Sequence, residues 1–223
     1  MLALLPMLLL GACEVNHMPM YASSIMTVHM EATVTGDIEI AVAEPMAVGV
    51  NGELMPVIDP TQDVLIQRFA ERIGSRIVES EMGLTSVDVF QAEAARALGW
   101  TVANVGAYHD AAFTIDVNDI EITIDDWGWP LMQANVKVEG VYVGDGTLIY
   151  REYTDHEVPL LYLDELVEPW DPNNLDDLMS ARAINLATLA TMPDGELRAR
   201  VYTAIEEVSS VAAAELVFAT RGY

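Results

Sequence analysis

The sequence predicts an α/β (α+β) sandwich: a mixed or antiparallel sheet of about four to five strands, helices packed on one face, and a helical carboxy-terminal extension. Three observations lead there. Residues 111–126 and 135–153 alternate apolar and polar side chains with the period of half-buried strands. Residues 60–98 repeat apolar positions every three or four residues, as successive helical stripes do. From residue 171 onward the pattern is helical again.

Taken in order, residues 25–48 are rich in β-branched side chains, and Ile38, Ile40 and Val42 alternate with Glu39 and Ala41. Thr35, Gly36 and Asp37 between two such runs are compatible with a hairpin turn. Asp59 can then cap a helix with Pro60 in its first turn and Gln62 reaching back to the cap. Ile66, Phe69, Ile73 and Ile77 form its stripe, and the helix is expected to reach about Met82. A second helix is expected from near Ser86, through Phe90, Ala94 and Leu98, to a stop at Gly99.

In the stretch AAFTIDVNDIEITIDD, residues 111–126, Phe113, Ile115 and Val117 hold odd positions, whereas Ile120, Ile122 and Ile124 hold even ones. The phase slips at Asn118 and Asp119. A β-bulge within one long strand restores the inward face, and a two-residue turn would make a hairpin instead; the bulge is the favoured reading. The clearest hairpin is NVKVEGVYVGDGTLIYREY, where Asp145 and Gly146 are expected to supply positive backbone angles. Near the end, Asp171 and Pro172 can start a helix with Leu175, Leu178, Ala183, Leu186 and Leu189 inward. After Pro193, Leu197, Val201, Ile205, Val208, Ala212 and Leu216 trace another stripe.

The amino terminus has a different character. Leu2–Leu10 is a short apolar run, too short to span a bilayer, which needs about 20 residues, but of the length of a secretory signal core. Leu10, Gly11, Ala12 and Cys13 resemble a bacterial lipobox. That resemblance implies a mature chain beginning at Cys13, with its sulfur carrying diacylglycerol and its acyl chains holding the protein to the lipid bilayer. Cys13 is the single cysteine, so no disulfide forms within the chain. The expected organisation is a signal peptide (1–12), a tether after the lipidated cysteine (13–24), the sandwich domain (25–158) and a helical extension packed on it (159–223). A signal normally opens with Lys or Arg, and here only the terminal amine is positive. Glu14 is not the aspartate that favours inner-membrane retention, which places the anchor in the inner leaflet of the outer membrane, facing the periplasm.

Residues 97–122, ALGWTVANVGAYHDAAFTIDVNDIEI, and the later ANVKVEGVYVGDGTLIYRE are similar in wording to small envelope lipoproteins. These include relatives of the curli-secretion lipoprotein, the penicillin-binding-protein activators and the amino-terminal domain of TolB. Asp110, Ala111, Ala112 and Phe113 stand where those proteins have an Ala-Asp-Tyr-like step. The resemblance implies an α/β sandwich and a task in assembly, secretion or regulation of an envelope complex. It assigns no functional residue.

Charge narrows the partners. Thirty-five acidic residues face 10 basic ones, for a formal charge of −25. Nucleic acid is not expected as a partner, because binding it rests on Lys and Arg displacing counterions. No catalytic residue and no cofactor are expected either: the chain contains no P-loop, no GxGxxG and no GxSxG, and its four histidines lack zinc spacing. His109–Asp110 and Asp155–His156 read as polar loop chemistry. The acids of residues 116–126 read as a solvated strand face. Asp171, Asn173, Asp176 and Asp177 are weak calcium candidates beside their simpler role at a helix start, which leaves a ligand- or calcium-binding lipoprotein as the alternative function. The loop DDWGWP carries Trp127 and Trp129, which either cap the open end of the sandwich, the favoured reading, or contact a partner.

Overall fold

The computed structural model describes residues 14–43, 46–48, 54–56, 59–171 and 173–222. The strands are β1 (Val15–Asn16), β2 (Thr27–Thr35), β3 (Glu39–Val42), β4 (Met46–Val48), β5 (Leu54–Pro56), β6 (Thr101–Val102), β7 (Ala111–Ile124), β8 (Pro130–Tyr142) and β9 (Thr147–Pro159). The helices are α1 (Met18–Tyr21), α2 (Pro60–Arg76), α3 (Glu79–Phe90), α4 (Arg96–Leu98), α5 (Leu175–Thr191) and α6 (Asp194–Arg221); a π-helical turn, Gln91–Ala95, joins α3 to α4.

The fold class is the mixed α/β arrangement expected, but the main sheet has seven strands and not four to five. Its order is β1-β9-β8-β7-β2-β6, with β3 also on β7, while β4 and β5 pair separately. The β7–β8–β9 meander is antiparallel; β2 and β3 both run parallel to β7. The extra strands are short. β1 and β6 have two residues each, too few to show a period.

The phase slip in residues 111–126 is a β-bulge. Between Asn118 and Glu121, β7 advances three residues while β8 advances two, from Asn135 to Gln133. Asp119 takes φ 48°, and Ile120, Ile122 and Ile124 return to the buried face. Opposite this bulge the Thr35–Gly36–Asp37 segment does not make a hairpin. β2 pairs with Ala111–Asn118 and β3 with Glu121–Ile124, so the two strands lie in line along one edge of β7. The non-local partner, not the local turn signal, sets their direction.

The β8–β9 hairpin forms as expected, with a four-residue loop, since Tyr142 pairs with Thr147. Only Gly146 has a positive φ, 74°; Asp145 instead accepts a hydrogen bond from the Thr147 N–H at 2.9 Å. Just inward of the turn, β9 carries an extra residue, Ile149, opposite the step from Gly140 to Val141, and both Ile149 and Tyr150 are buried.

Helices cover one face of the sheet; the other carries Asp116, Asn118, Gln133, Lys137, Glu139 and Arg151 towards solvent. All six predicted apolar positions of α6 are buried, and α6 packs across β8, β9 and α3. The helix expected to reach Met82 ends at Arg76: Ile77 and Val78 are extended, and α3 starts at Glu79, well before Ser86. Ser86 is buried inside it, bonded to Ser209 of α6 at 2.9 Å. Gly99 ends this helical run with φ 72°. Asp59 caps α2 as expected, through the Thr61 N–H at 2.9 Å, but Gln62 turns inward to α5. α5 starts later than Asp171, with Asn174 accepting from the Asp176 N–H at 3.0 Å. Its buried side includes Leu186 and Leu189, whereas Leu175 is exposed. Residues 14–24, within the stretch read as a tether, pair with β9 through Val15 and Asn16 and bury Met18.

Gly140 faces Phe113 across the ladder, and Phe113 stacks on Trp100 with ring centroids 5.3 Å apart. A Cβ on residue 140 would stand 2.5 Å from the Phe113 ring. The ring is buried on every side, so it cannot swing away. Gly140→Ala is therefore expected to cost about 1–3 kcal/mol, read as a lower urea midpoint with an unchanged slope.

Candidate functional site

Two loops at the Pro130 end of the sheet converge on the inward face of α5. The first is Asp125–Trp129. Asp125 shapes it: its carboxylate accepts from the backbone N–H groups of Trp127 and Trp129, each at 2.8 Å, and its carbonyl accepts from Gly128 at 3.0 Å. Gly128 has φ 80°, and a Cβ there would lie 2.9 Å from the Arg182 carbonyl oxygen. Only glycine allows so close a seat on the helix.

The second loop is residues 160–171. Asn185, wholly buried, joins the two. Its Nδ2 donates to the carbonyls of Trp127 (2.8 Å) and Val167 (3.0 Å), and its Oδ1 accepts from the Val167 N–H (2.9 Å). One turn earlier on α5, the buried Arg182 donates to Gln62 Oε1 at 2.8 Å, to the Ala43 carbonyl at 2.8 Å and to the Asp125 carbonyl. Burial pushes the guanidinium pKa down, against the pull of the Asp126, Asp125 and Asp63 carboxylates. Arg200 of α6 holds the start of the same loop. It donates to the Leu160 carbonyl at 3.0 Å and to both Glu165 oxygens, and it also reaches Glu196. Tyr162 lies over its guanidinium, 4.6 Å from the ring centroid.

Held this way, the loop presents Trp170 at 96% exposure and Leu163 at 81%, with Tyr162 and Val167 partly exposed beside them. An indole so exposed on an anchored backbone is a feature of docking surfaces. Trp127 and Trp129, the pair singled out in sequence, are half-buried and meet edge to face at 5.5 Å; the Trp129 indole nitrogen is buried. Sequence reasoning did not single out Trp170. The signal available was its place in LVEPWDP, between acids and prolines and outside any apolar stripe.

The remaining candidates lie apart from this surface or at its margin. Cys13 and the lipobox fall outside the described residues. Asp171 accepts from the Asn173 N–H at 2.9 Å and from its side chain at 3.3 Å, while Asp176 and Asp177 occupy the first turn of α5. Among the described residues, no three His, Cys, Asp or Glu side chains converge where they could hold a metal. Asp110 is taken up structurally. It accepts from the N–H groups of Met26 and Thr27, each at 2.9 Å, and these hold its carboxyl below the usual range. His109 bonds the Ala107 carbonyl at 3.0 Å and lies beside the His29 ring.

Fold and surface together describe a mixed α/β protein whose helices cover one sheet face and whose most exposed aromatic group sits on a braced loop. No family model matches the chain, and no curated protein matches it. Among solved structures it is similar to a Xanthomonas campestris protein of family DUF330, at 11% identity over 88% of this chain and 86% of that one, with a TM-score of 0.42. It is also similar to a putative lipoprotein from Caulobacter crescentus, at 11% identity over 62% and 85%, TM-score 0.31. A third is the PelC dodecamer from Paraburkholderia phytofirmans, at 7% identity over 83% and 85%, TM-score 0.31. Likeness at this level transfers no function. Among the described residues, no helix is long and apolar enough to cross a membrane.

Proposed function

We propose that this protein is a lipid-anchored, non-enzymatic component of the bacterial envelope that docks a larger protein assembly through its 160–171 loop. The observation that carries the docking is Trp170, 96% exposed on a loop that Arg200 ties at Leu160 and Glu165 and Asn185 ties at Val167. An apolar side chain left in water on an ordered segment gains most when a partner covers it, and its ordering has already been met by the fold. The anchor rests on the lipobox-like residues Leu10–Cys13. This reading assigns the contact to Trp170 and not to Trp127 and Trp129, the possible contact weighed in sequence, because those two indoles are packed against each other on a loop seated on α5.

The test is affinity purification of the lipidated protein from its native membrane after mild cross-linking, with wild type beside Trp170→Ala and Leu163→Ala. A co-purifying protein lost from both variants, at unchanged melting temperature, is the expected result. Retention of every partner by both variants overturns the docking assignment. Mass spectrometry of the same preparation reads the anchor, and an unmodified Cys13 with Met1 retained overturns that part.

A further inference from the structure

Among the described residues, the edge of the sheet opposite β9 is left open over most of its length. β6 pairs with β2 only at Thr27 and Val28. From His29 to Thr35, among the described residues, β2 has β7 on one side and no strand on the other. In a parallel pair, alternate residues turn their N–H and C=O away from the neighbour. Val28 turns its carbonyl outward to the Ala103 N–H, so Met30, Ala32 and Val34 turn outward too, and among the described residues they form a row without a strand partner, the template to which an added strand binds.

Beside this row runs a groove of about 430 Å³, lined by Ala32, Val34, Glu79, Gly83, Leu84 and Val87. Its origin is legible in the side chains. Val28 and Met30 of β2 are buried under the helical layer, whereas Ala32 and Val34, on the same face, are only partly covered. α3 crosses above them with Gly83, which has no side chain to fill the gap, and Leu84 stands 64% exposed at its rim. The groove floor is apolar, and the charged residues bordering groove and edge, Glu79 and Glu31, are both acidic.

We infer that the outer edge of β2 and the groove under α3 bind an extended peptide segment of a partner protein by strand addition. Its residues alternate small apolar side chains, which enter the groove, with Lys or Arg, which face Glu31 on the opposite side of the sheet. The unpaired backbone row selects an extended strand over a helix, because only an extended chain presents matching N–H and C=O groups. The apolar floor selects one side of that strand, and Glu31 selects the charge of the other. This edge is separate from the 160–171 loop, and the inference stands whether or not that loop docks a partner.

The test uses the full chain and a random-peptide phage library as probe. Selected peptides are expected to alternate small apolar and basic residues and to slow amide hydrogen exchange at Ala32 and Val34, whose N–H groups point away from β7. A Cβ on Gly83 would meet Val34 and Ala32 at ordinary contact distances, 3.6–3.8 Å, so Gly83→Ala should fold and bind. Gly83→Leu fills the groove, and Leu84→Asp charges its exposed rim; each is expected to weaken the selected peptides about tenfold or more, a change of about 1.4 kcal/mol, while Trp170→Ala leaves binding unchanged. Three results would each overturn the inference: protection by the peptides elsewhere than β2, full binding to folded Gly83→Leu and Leu84→Asp, or Ala32 and Val34 amides already slow in the free protein. The last would mean that the chain's own residues occupy the edge.

Discussion

Arg182→Ala is expected to lower stability by about 3 kcal/mol, the larger part from stranding buried acceptors. Three acceptors lose their donor at once: Gln62 Oε1 on α2, the Ala43 carbonyl after β3 and the Asp125 carbonyl at the head of the tryptophan loop. Water cannot replace a guanidinium that is 2% exposed without opening the helical layer. Removing a buried charge returns part of its desolvation cost, so the loss is less than three full hydrogen bonds. The measurement is the urea midpoint, with amide exchange at Trp127 and Gly128 as the local readout. Arg182→Lys should recover only a fraction, because one ammonium cannot span three acceptors that a planar fork reaches. An unchanged midpoint for Arg182→Ala would mean that this network does not hold the loop.

That network also shows what a single sequence conveys. Features set by neighbours along the chain were legible: the cap at Asp59, the stop at Gly99, the six-residue stripe of α6, and the bulge, which announces itself as a one-residue slip between Val117 and Ile120. Features set by distant partners were not. Arg182 and Asn185 fall outside the apolar stripe read for their helix, yet both are buried, and their partners lie as far as 139 residues away in sequence. The hairpin suggested at Thr35–Asp37 gave way because β7, more than 80 residues further on, offered one continuous edge to both strands. The break at Ile77 and Val78 has no glycine or proline to mark it; Tyr202 of α6 meets the Val78 backbone there, an interaction no local pattern carries. Among the tryptophans, composition cannot tell a braced loop from a tucked one. Asp125 and Asn185 decide that Trp127 and Trp129 are held in, whereas Trp170 stands exposed three residues beyond Val167, where Asn185 ties its loop.

Arg200→Ala is the corresponding experiment on the second loop, with an expected loss of about 3 kcal/mol, because it leaves the Leu160 carbonyl without its Arg200 donor and Glu165 with only the Tyr162 N–H. The pH dependence identifies the ion pair. Arg200 beside Glu165 holds that carboxyl below its usual range, helped by the Tyr162 N–H, and Glu165 in turn raises the guanidinium above its ordinary value. Arg200 therefore stays charged throughout, and the titrating partner is the carboxylate. Its folded pKa is depressed, so the stabilisation is fully present above the unfolded value of about 4.3 and is lost as pH falls through the folded value. Glu165→Gln should accordingly be less stable than wild type at neutral pH, with the gap closing at lower pH once the wild-type carboxyl is protonated. A gap that stayed constant down to acid would assign the loss to packing and not to charge. The same variants separate presentation from contact. Glu165→Gln keeps Trp170 but loosens the segment that displays it, so a partner that reads a fixed indole should dissociate faster from it, whereas one that reads the indole alone should not distinguish it from wild type.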